Sequence, residues 1–184
     1  MGYNNLAMKI TILGPQGSGK TTQAHLLAEQ LHLPVVDIGE FIRNSFTQVT
    51  TENTQAFEMM KKGELVPNDY AANLLKERLS HPDCKNGFIL DGYPRTLSQL
   101  EIYDPKTDKV IFISVSDEEA TKRLKQRGRM DDTDEAIARR LNWYHSKTSK
   151  VLEYYKQEGK LIVVPSRKTQ EETFSELKKV LEIS

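Results

Sequence analysis

Apolar residues in this chain come in short runs separated by longer amphipathic stretches, and the two patterns alternate. Lys9 to Leu13 (KITIL) has the composition of a strand and stops at Gly14. From Thr21 to Leu31, the residues Ala24, Leu27, Ala28 and Leu31 step by three and four positions, which places them on one helical face. Val35 and Val36, Phe88 to Leu90, Val110 to Val115, and Leu161 to Val164 are further strand-like runs. Helix starts fall between them. Ser116 with Glu119 and Thr169 with Glu172 have the spacing of a capping box, and Asp132 with Glu135 is a near equivalent. Strand runs each followed by a helix predict parallel strands with helical crossovers. The expected fold is therefore an α/β/α three-layer sandwich around a central parallel sheet of about five strands. Ligands of such sheets collect beyond the carboxyl ends of the strands, so the chemistry is to be sought there.

Composition narrows the class. The 184 residues suit one domain, 1–184 with its core at 8–184, and 38% hydrophobic with 28% charged residues reads as soluble and globular. The 26 basic and 26 acidic residues cancel, which argues against a nucleic-acid partner held by bulk positive charge. No run approaches the apolar length of a membrane span. Residues 1–7 lack an apolar signal core and read as a short leader or cloning remnant ahead of Met8. Cys84 is the only cysteine, which excludes an internal disulfide and a cysteine-rich structural zinc site and fits a reducing, cytoplasmic setting. With His81, Pro82 and Lys85 around it, Cys84 reads as an incidental residue of a polar loop.

The stretch GPQGSGKT, Gly14 to Thr21, satisfies G-x4-G-K-[ST] directly after a predicted strand and at the start of a predicted helix. Its glycines let successive backbone N–H groups converge on phosphate oxygens, and the helix N-terminus adds its positive dipole end. Lys20 supplies a cation for the β- and γ-phosphates, and the Thr21 hydroxyl is a ligand for Mg²⁺. The pattern predicts a nucleoside triphosphate and leaves open what becomes of its phosphate.

A second anion site is written as DGYPRT, Asp91 to Thr96, after the run GFIL. Asp91, at a strand end beside the phosphate loop, is placed to hold Mg²⁺ through water. Arg95, fixed by the Pro94 turn, presents a planar fork to a second phosphate. Read blandly, Asp91 would cap the next helix and Arg95 would be solvated. Arg123, Arg127, Arg129, Arg139 and Arg140 fall close together, and Arg123 and Arg127 are four apart on one helical face. A solvated helix face is the alternative for them. Trp143, Tyr144, Tyr154 and Tyr155, at roughly helical spacing, read as packing residues.

With Gln99 three residues after Thr96, the chain resembles the adenylate kinase family from Met8 nearly to its C-terminus. The phosphate loop, the D-G-[FY]-P-R-T-x-x-Q run and the R-x3-R and R-x-D-D arginines occur in the family's order. The resemblance implies a P-loop kinase that moves the γ-phosphoryl of ATP to AMP, reversibly and with Mg²⁺, giving ADP. Gly17, Ser18, Gly19, Lys20, Thr21 and Thr22 would bind ATP, together with Arg123, Arg127 and Lys168, and Arg123, Arg127, Arg129 and Arg140 would close around the reacting phosphates. AMP would lie against a flap at about 38–67, contacting Ile38, Gly39, Arg43, Glu64, Leu65 and Val66. Gly92, Tyr93, Arg95, Gln99, Arg129 and Arg140 would complete its site, Gln99 reading the adenine edge. Lys20, Arg95, Arg123, Arg129 and Arg140 would be catalytic, around the transferring group, with Thr21 and Asp91 near Mg²⁺. Arg139 is unmatched and expected at the surface, and a compact kinase of this kind is expected to be a monomer.

Three departures from the family pattern stand out. Only Gly128 separates Arg127 from Arg129, so the lid, about 127–132, is cut to a turn, and some ATP hydrolysis without AMP is expected. Ile38 stands where the family carries threonine. Thr22 gives the local string GKTTQ, which also occurs in thymidylate kinases. A kinase acting on UMP or CMP, or a nucleotide-dependent ATPase or switch, are the alternative readings.

Overall fold

The computed structural model describes residues 8–45, 50–129, 131–167 and 169–183. Five parallel strands, β1 (Met8–Leu13), β2 (Val35–Asp37), β3 (Gly87–Asp91), β4 (Lys109–Ser114) and β5 (Leu161–Pro165), form one sheet in the order β2-β3-β1-β4-β5. The helices between them are α1 (Lys20–Leu31), α2 (Ile38–Ser45), α3 (Thr51–Lys61), α4 (Asn68–Leu79), α5 (Leu97–Ile102), α6 (Asp117–Arg127), α7 (Asp134–Trp143), α8 (Ser149–Gln157) and α9 (Gln170–Leu181). A π-helical stretch, Tyr144–Thr148, joins α7 to α8. The predicted strand runs and the parallel three-layer arrangement are thus present. Residues 1–7, read above as a leader or cloning remnant, and Lys168 lie outside the described residues.

The central strands are apolar on both faces because both faces are covered. Along β3 the pleat sends Ile89 to one side, where it meets Ile10, Ile12, Leu27, Ile111 and Leu177 of the sheet, α1 and α9. Phe88 and Leu90 face the other side, among Val36, Ile42, Leu75 and Tyr93. Cys84 lies in a turn of exposed polar neighbours between α4 and β3, as its sequence suggests, but its own side chain is buried in this second cluster at 4% exposure. The aromatic residues near the C-terminus divide. Tyr155 is core, Tyr154 is exposed, and Trp143 and Tyr144 line the cleft described below.

The helix starts refine the expectations. At α9 the capping box is complete, Thr169 and Glu172 exchanging bonds reciprocally. At α6 only half of it forms: Ser116 accepts from the Glu119 N–H, but the Glu119 carboxylate is drawn to Arg123 Nε at 2.8 Å. At α7 the cap is Thr133, accepting from Ala136 N–H, in place of Asp132. Asp132 is claimed by two arginines, as described next.

Candidate active site

The phosphate loop closes the C-terminal end of β1, the middle strand of the sheet, and opens α1. Gly17 has φ 84° and an added Cβ would meet the Ala120 carbonyl oxygen at 2.5 Å, so the loop is seated on the first turns of α6. Only glycine fits that close approach. Thr21 Oγ1 donates to Asp91 Oδ2 at 2.5 Å. Among the described residues, Asp91 Oδ1 is buried with no hydrogen-bond partner. Asp91 therefore does not cap a helix; Thr96 caps α5, accepting from Gln99 N–H at 3.1 Å.

Burial, aided by the nearby charge of Asp37, pushes the Asp91 carboxyl above its ordinary value against the pull of Lys20. Burial likewise pushes the Lys20 ammonium below its ordinary value. Both charged forms are short of solvation, and each would be stabilised by a ligand of opposite sign. A buried carboxylate oxygen without a partner, beside a loop hydroxyl, is an oxygen donor set that fits Mg²⁺.

Asp37 ends β2 opposite Asp91 in the sheet register, so two strand-end carboxylates sit side by side. Asp37 Oδ1 accepts from Glu40 N–H at 3.1 Å, at the start of α2, and Oδ2 lies 3.7 Å from Arg43 Nη2. Arg95 is bound through its backbone N–H to Gln99 Oε1 at 2.7 Å and through Nε to Gly92 O at 3.0 Å. Among the described residues no carboxylate lies within ion-pair distance of it. Burial pushes its guanidinium below the ordinary value against the pull of Asp91 and Asp37, and the charges of Arg140 and Arg43 add to the lowering. An arginine in this state stays charged and calls for an anion. Gln99, 2% exposed, lines the cleft and has its Oε1 occupied by the Arg95 N–H. Tyr93 is turned away from the cleft. Its hydroxyl faces the carbonyls of Gln99 and Tyr103 at 2.6 and 2.7 Å, so it supports Gln99 from behind.

Ile38, Gly39, Glu64, Leu65 and Val66 line the same cleft as Lys20, Thr21, Asp91, Gly92, Arg43 and Arg95, as do Arg127, Arg129 and Arg140. Arg127 and Arg140 are clamped together by one carboxylate. Asp132 accepts from Arg127 Nε at 2.8 Å and Nη2 at 2.7 Å, and from Arg140 Nη1 at 2.8 Å. Arg140, 7% exposed, also donates to Asp131 and, at 3.3 Å, to Met60 O of α3. Burial works to raise the Asp132 carboxyl, but the bonds and charges of the two arginines outweigh it and hold it below the ordinary value. Burial and the charges of Arg127 and Arg43 push Arg129 below its own.

Arg123 is not brought to this cleft. It donates to Glu119, to Ser166 Oγ at 2.8 Å and to Arg167 O at 3.2 Å, against the segment after β5. Arg139 is exposed, and its guanidinium lies 3.7 Å from Glu64. Sequence reasoning did not single out Asp37 or Thr148, and it gave Trp143 and Tyr144 to packing. Asp37 carried one available signal, an acidic residue at the carboxyl end of a predicted strand. Thr148 carried none.

A phosphate loop at the end of the central strand and a second cationic site in the same cleft define a P-loop phosphotransferase with two anionic substrates. Comparison with known proteins narrows the class. A sequence model of the family described as adenylate kinase matches residues 12–160. Adenylate kinase 1 of Nostoc sp. is 39% identical over 180 residues, covering 94% of this chain and 98% of that protein. The adenylate kinase of Mycobacterium tuberculosis is 41% identical over 162 residues, 84% of this chain and 90% of its own. That of Bifidobacterium longum is 40% identical over 168 residues, 85% and 90%. The chain belongs to the adenylate kinase family.

Proposed function

We propose that this cleft performs the family's reaction, reversible transfer of the γ-phosphoryl of ATP to AMP giving two ADP, with the roles that follow. One observation carries the assignment. A phosphate-loop lysine and a second pair of arginines, Arg43 and Arg95, open into one cleft whose remaining cations are Arg127, Arg129 and Arg140 among the described residues. A hydrolytic switch has no use for a second phosphate site.

Lys20 and the loop amides take the ATP phosphates. Arg43 and Arg95 grip the phosphate of AMP, and the apolar wall of Ile38, Leu65 and Val66 receives its base beside Gln99. Phosphoryl transfer asks the protein mainly for positioning and charge neutralisation, and the AMP phosphate is already an anionic nucleophile. Arg127, Arg129 and Arg140 therefore act by neutralising the oxygens of the group in transit. Mg²⁺, brought with ATP, would be held at Thr21 and Asp91 and supplies charge neutralisation at the phosphates. Arg123, with Ser166 and Arg167, belongs to the outer end of the ATP site, as does Lys168 in this reading. The flap at about 38–67 moves to admit AMP, and the segment at about 127–132 is the reduced lid. A cytoplasmic setting fits the single cysteine, and a monomer is the state expected of a compact kinase of this kind.

The test is ADP formation from Mg-ATP with AMP, CMP, UMP, dTMP or no acceptor. Strong acceleration by AMP is expected. Equal rates with and without any acceptor would replace the assignment with an ATPase, and preference for UMP or CMP would move it to another acceptor.

A further inference from the structure

Arg95 is fixed at both of its backbone polar groups. Its N–H donates to Gln99 Oε1 at 2.7 Å, and its carbonyl accepts from Thr148 Oγ1 at 3.1 Å. Thr148 is 8% exposed, lines the cleft, and reaches Arg95 across 53 residues of sequence. It closes the π-helical stretch Tyr144–Thr148.

That stretch accounts for where the hydroxyl points. Serine and threonine hydroxyls inside helices commonly fold back on the carbonyl four residues earlier. Ser146 does so onto Asn142 O at 2.7 Å, and Ser149 onto His145 O at 2.6 Å. Thr148 lies between them and does not. In the wider turn the Tyr144 carbonyl accepts from the Ser149 N–H, and the Thr148 hydroxyl is aimed at the loop after β3. The turn is itself anchored. The Tyr144 ring stacks on Phe112 of β4 with centroids 6.2 Å apart and planes at 15°, and His145 Nε2 lies 2.8 Å from Asp117 of α6.

We propose that Thr148 is a positioning residue for the acceptor phosphate, holding through its hydroxyl the backbone from which Arg95 reaches into the cleft. The proposal rests on the assignment of Arg95 to that phosphate. The Arg95 guanidinium has no carboxylate to orient it among the described residues, so its aim depends on the peptide that carries it and on the single bond from Nε to Gly92 O. The hydroxyl can only donate to that carbonyl. A valine of the same shape leaves the carbonyl without this partner.

The experiment compares Thr148→Val, Thr148→Ser and Arg95→Lys for KM and kcat toward AMP and ATP, with the melting temperature of each. Thr148→Val is expected to lower kcat/KM for AMP by about three- to tenfold, the worth of one hydrogen bond. KM for ATP should stay within about twofold, and Thr148→Ser, which keeps the donor, should behave as the parent. AMP parameters of Thr148→Val within about twofold of the parent, beside an impaired Arg95→Lys, would overturn the proposal alone. So would equal losses toward both nucleotides, or a serine variant as impaired as the valine one. Parent-like kinetics in Arg95→Lys would instead remove the assignment of Arg95, and the proposal with it. If the valine variant does not fold, Thr148→Ala takes its place with the same readings.

Discussion

Replacing Asp132 with asparagine tests the arginine cluster at its anchor. The Asp132 side chain is 1% exposed, and its two oxygens share the work evenly. Oδ1 accepts from Arg127 Nη2 and Arg140 Nη1, and Oδ2 from Arg127 Nε and, at 3.3 Å, from Arg129 N–H. Whichever way an asparagine amide turns, two donors lose their acceptor and face an amine. Breaking a buried ion pair from one side costs about 3–5 kcal/mol. Asp131 still holds Arg140, and the Arg127 side chain is 34% exposed, so the lower end applies, about 3 kcal/mol. For a domain of this size that is a fall in Tm of roughly 6–12 °C at pH 7. The pH dependence has a fixed sign. The Asp132 carboxyl is held below its ordinary value, so its contribution is whole above the unfolded carboxylate pKa, about 4, and is lost as pH falls through the folded value. The gap between parent and Asp132→Asn should be level from neutral pH to about 5 and close in stronger acid. Thermal melts followed by circular dichroism between pH 7 and 3.5 measure both. A Tm within about 2 °C of the parent at pH 7, or a gap that does not narrow in acid, would refute the reasoning.

Three further outcomes are expected. Gly63→Ala should lose about 2 kcal/mol or more, because Gly63 has φ 73° and an added Cβ meets the Ala136 carbonyl oxygen at 2.5 Å. A melting temperature equal to the parent's would contradict it. Trp143, the only tryptophan, lines the cleft beside Leu65 and Val66, so AMP should change its fluorescence saturably; a flat titration would place AMP elsewhere. With only Gly128 between Arg127 and Arg129, slow ADP formation from Mg-ATP alone is expected, and a rate no higher than that of Lys20→Ala would dispose of it.

Much of the fold was legible because it is local. KITIL, GFIL and the capping pairs each declare an element within a few residues, and the phosphate loop declares its own ligand. What escaped is made by pairing distant segments. Asp37 gains meaning only when β2 and β3 align it with Asp91. Asp132 and Thr133 are both competent caps, and the choice between them is made by Arg127 and Arg140. The second half of the box at Ser116 is lost to Arg123 in the same way. Cys84 looked like a loop residue because its sequence neighbours are polar, while in space it shares an apolar cluster with Leu75 and Phe88, and Arg78, with Nη1 3.1 Å from the sulfur, brings a polar group to it. Arg123 shares a helical face with Arg127, but Ser166 and Arg167 draw it to a different part of the surface.

Gly128 has one more consequence. An added Cβ there meets no atom within 4 Å, and the residue closes α6 with its N–H on Leu124 O. On its two sides Arg127 is moored to Asp132, and the Arg129 N–H bonds to the same carboxylate. The space beside this joint is open, so extra residues spliced in there would meet solvent first, and sheet and helix cores lie clear of it. The chain thus has a socket into which covers of different length can be fitted, so that shielding from water becomes a part exchangeable apart from the catalytic frame.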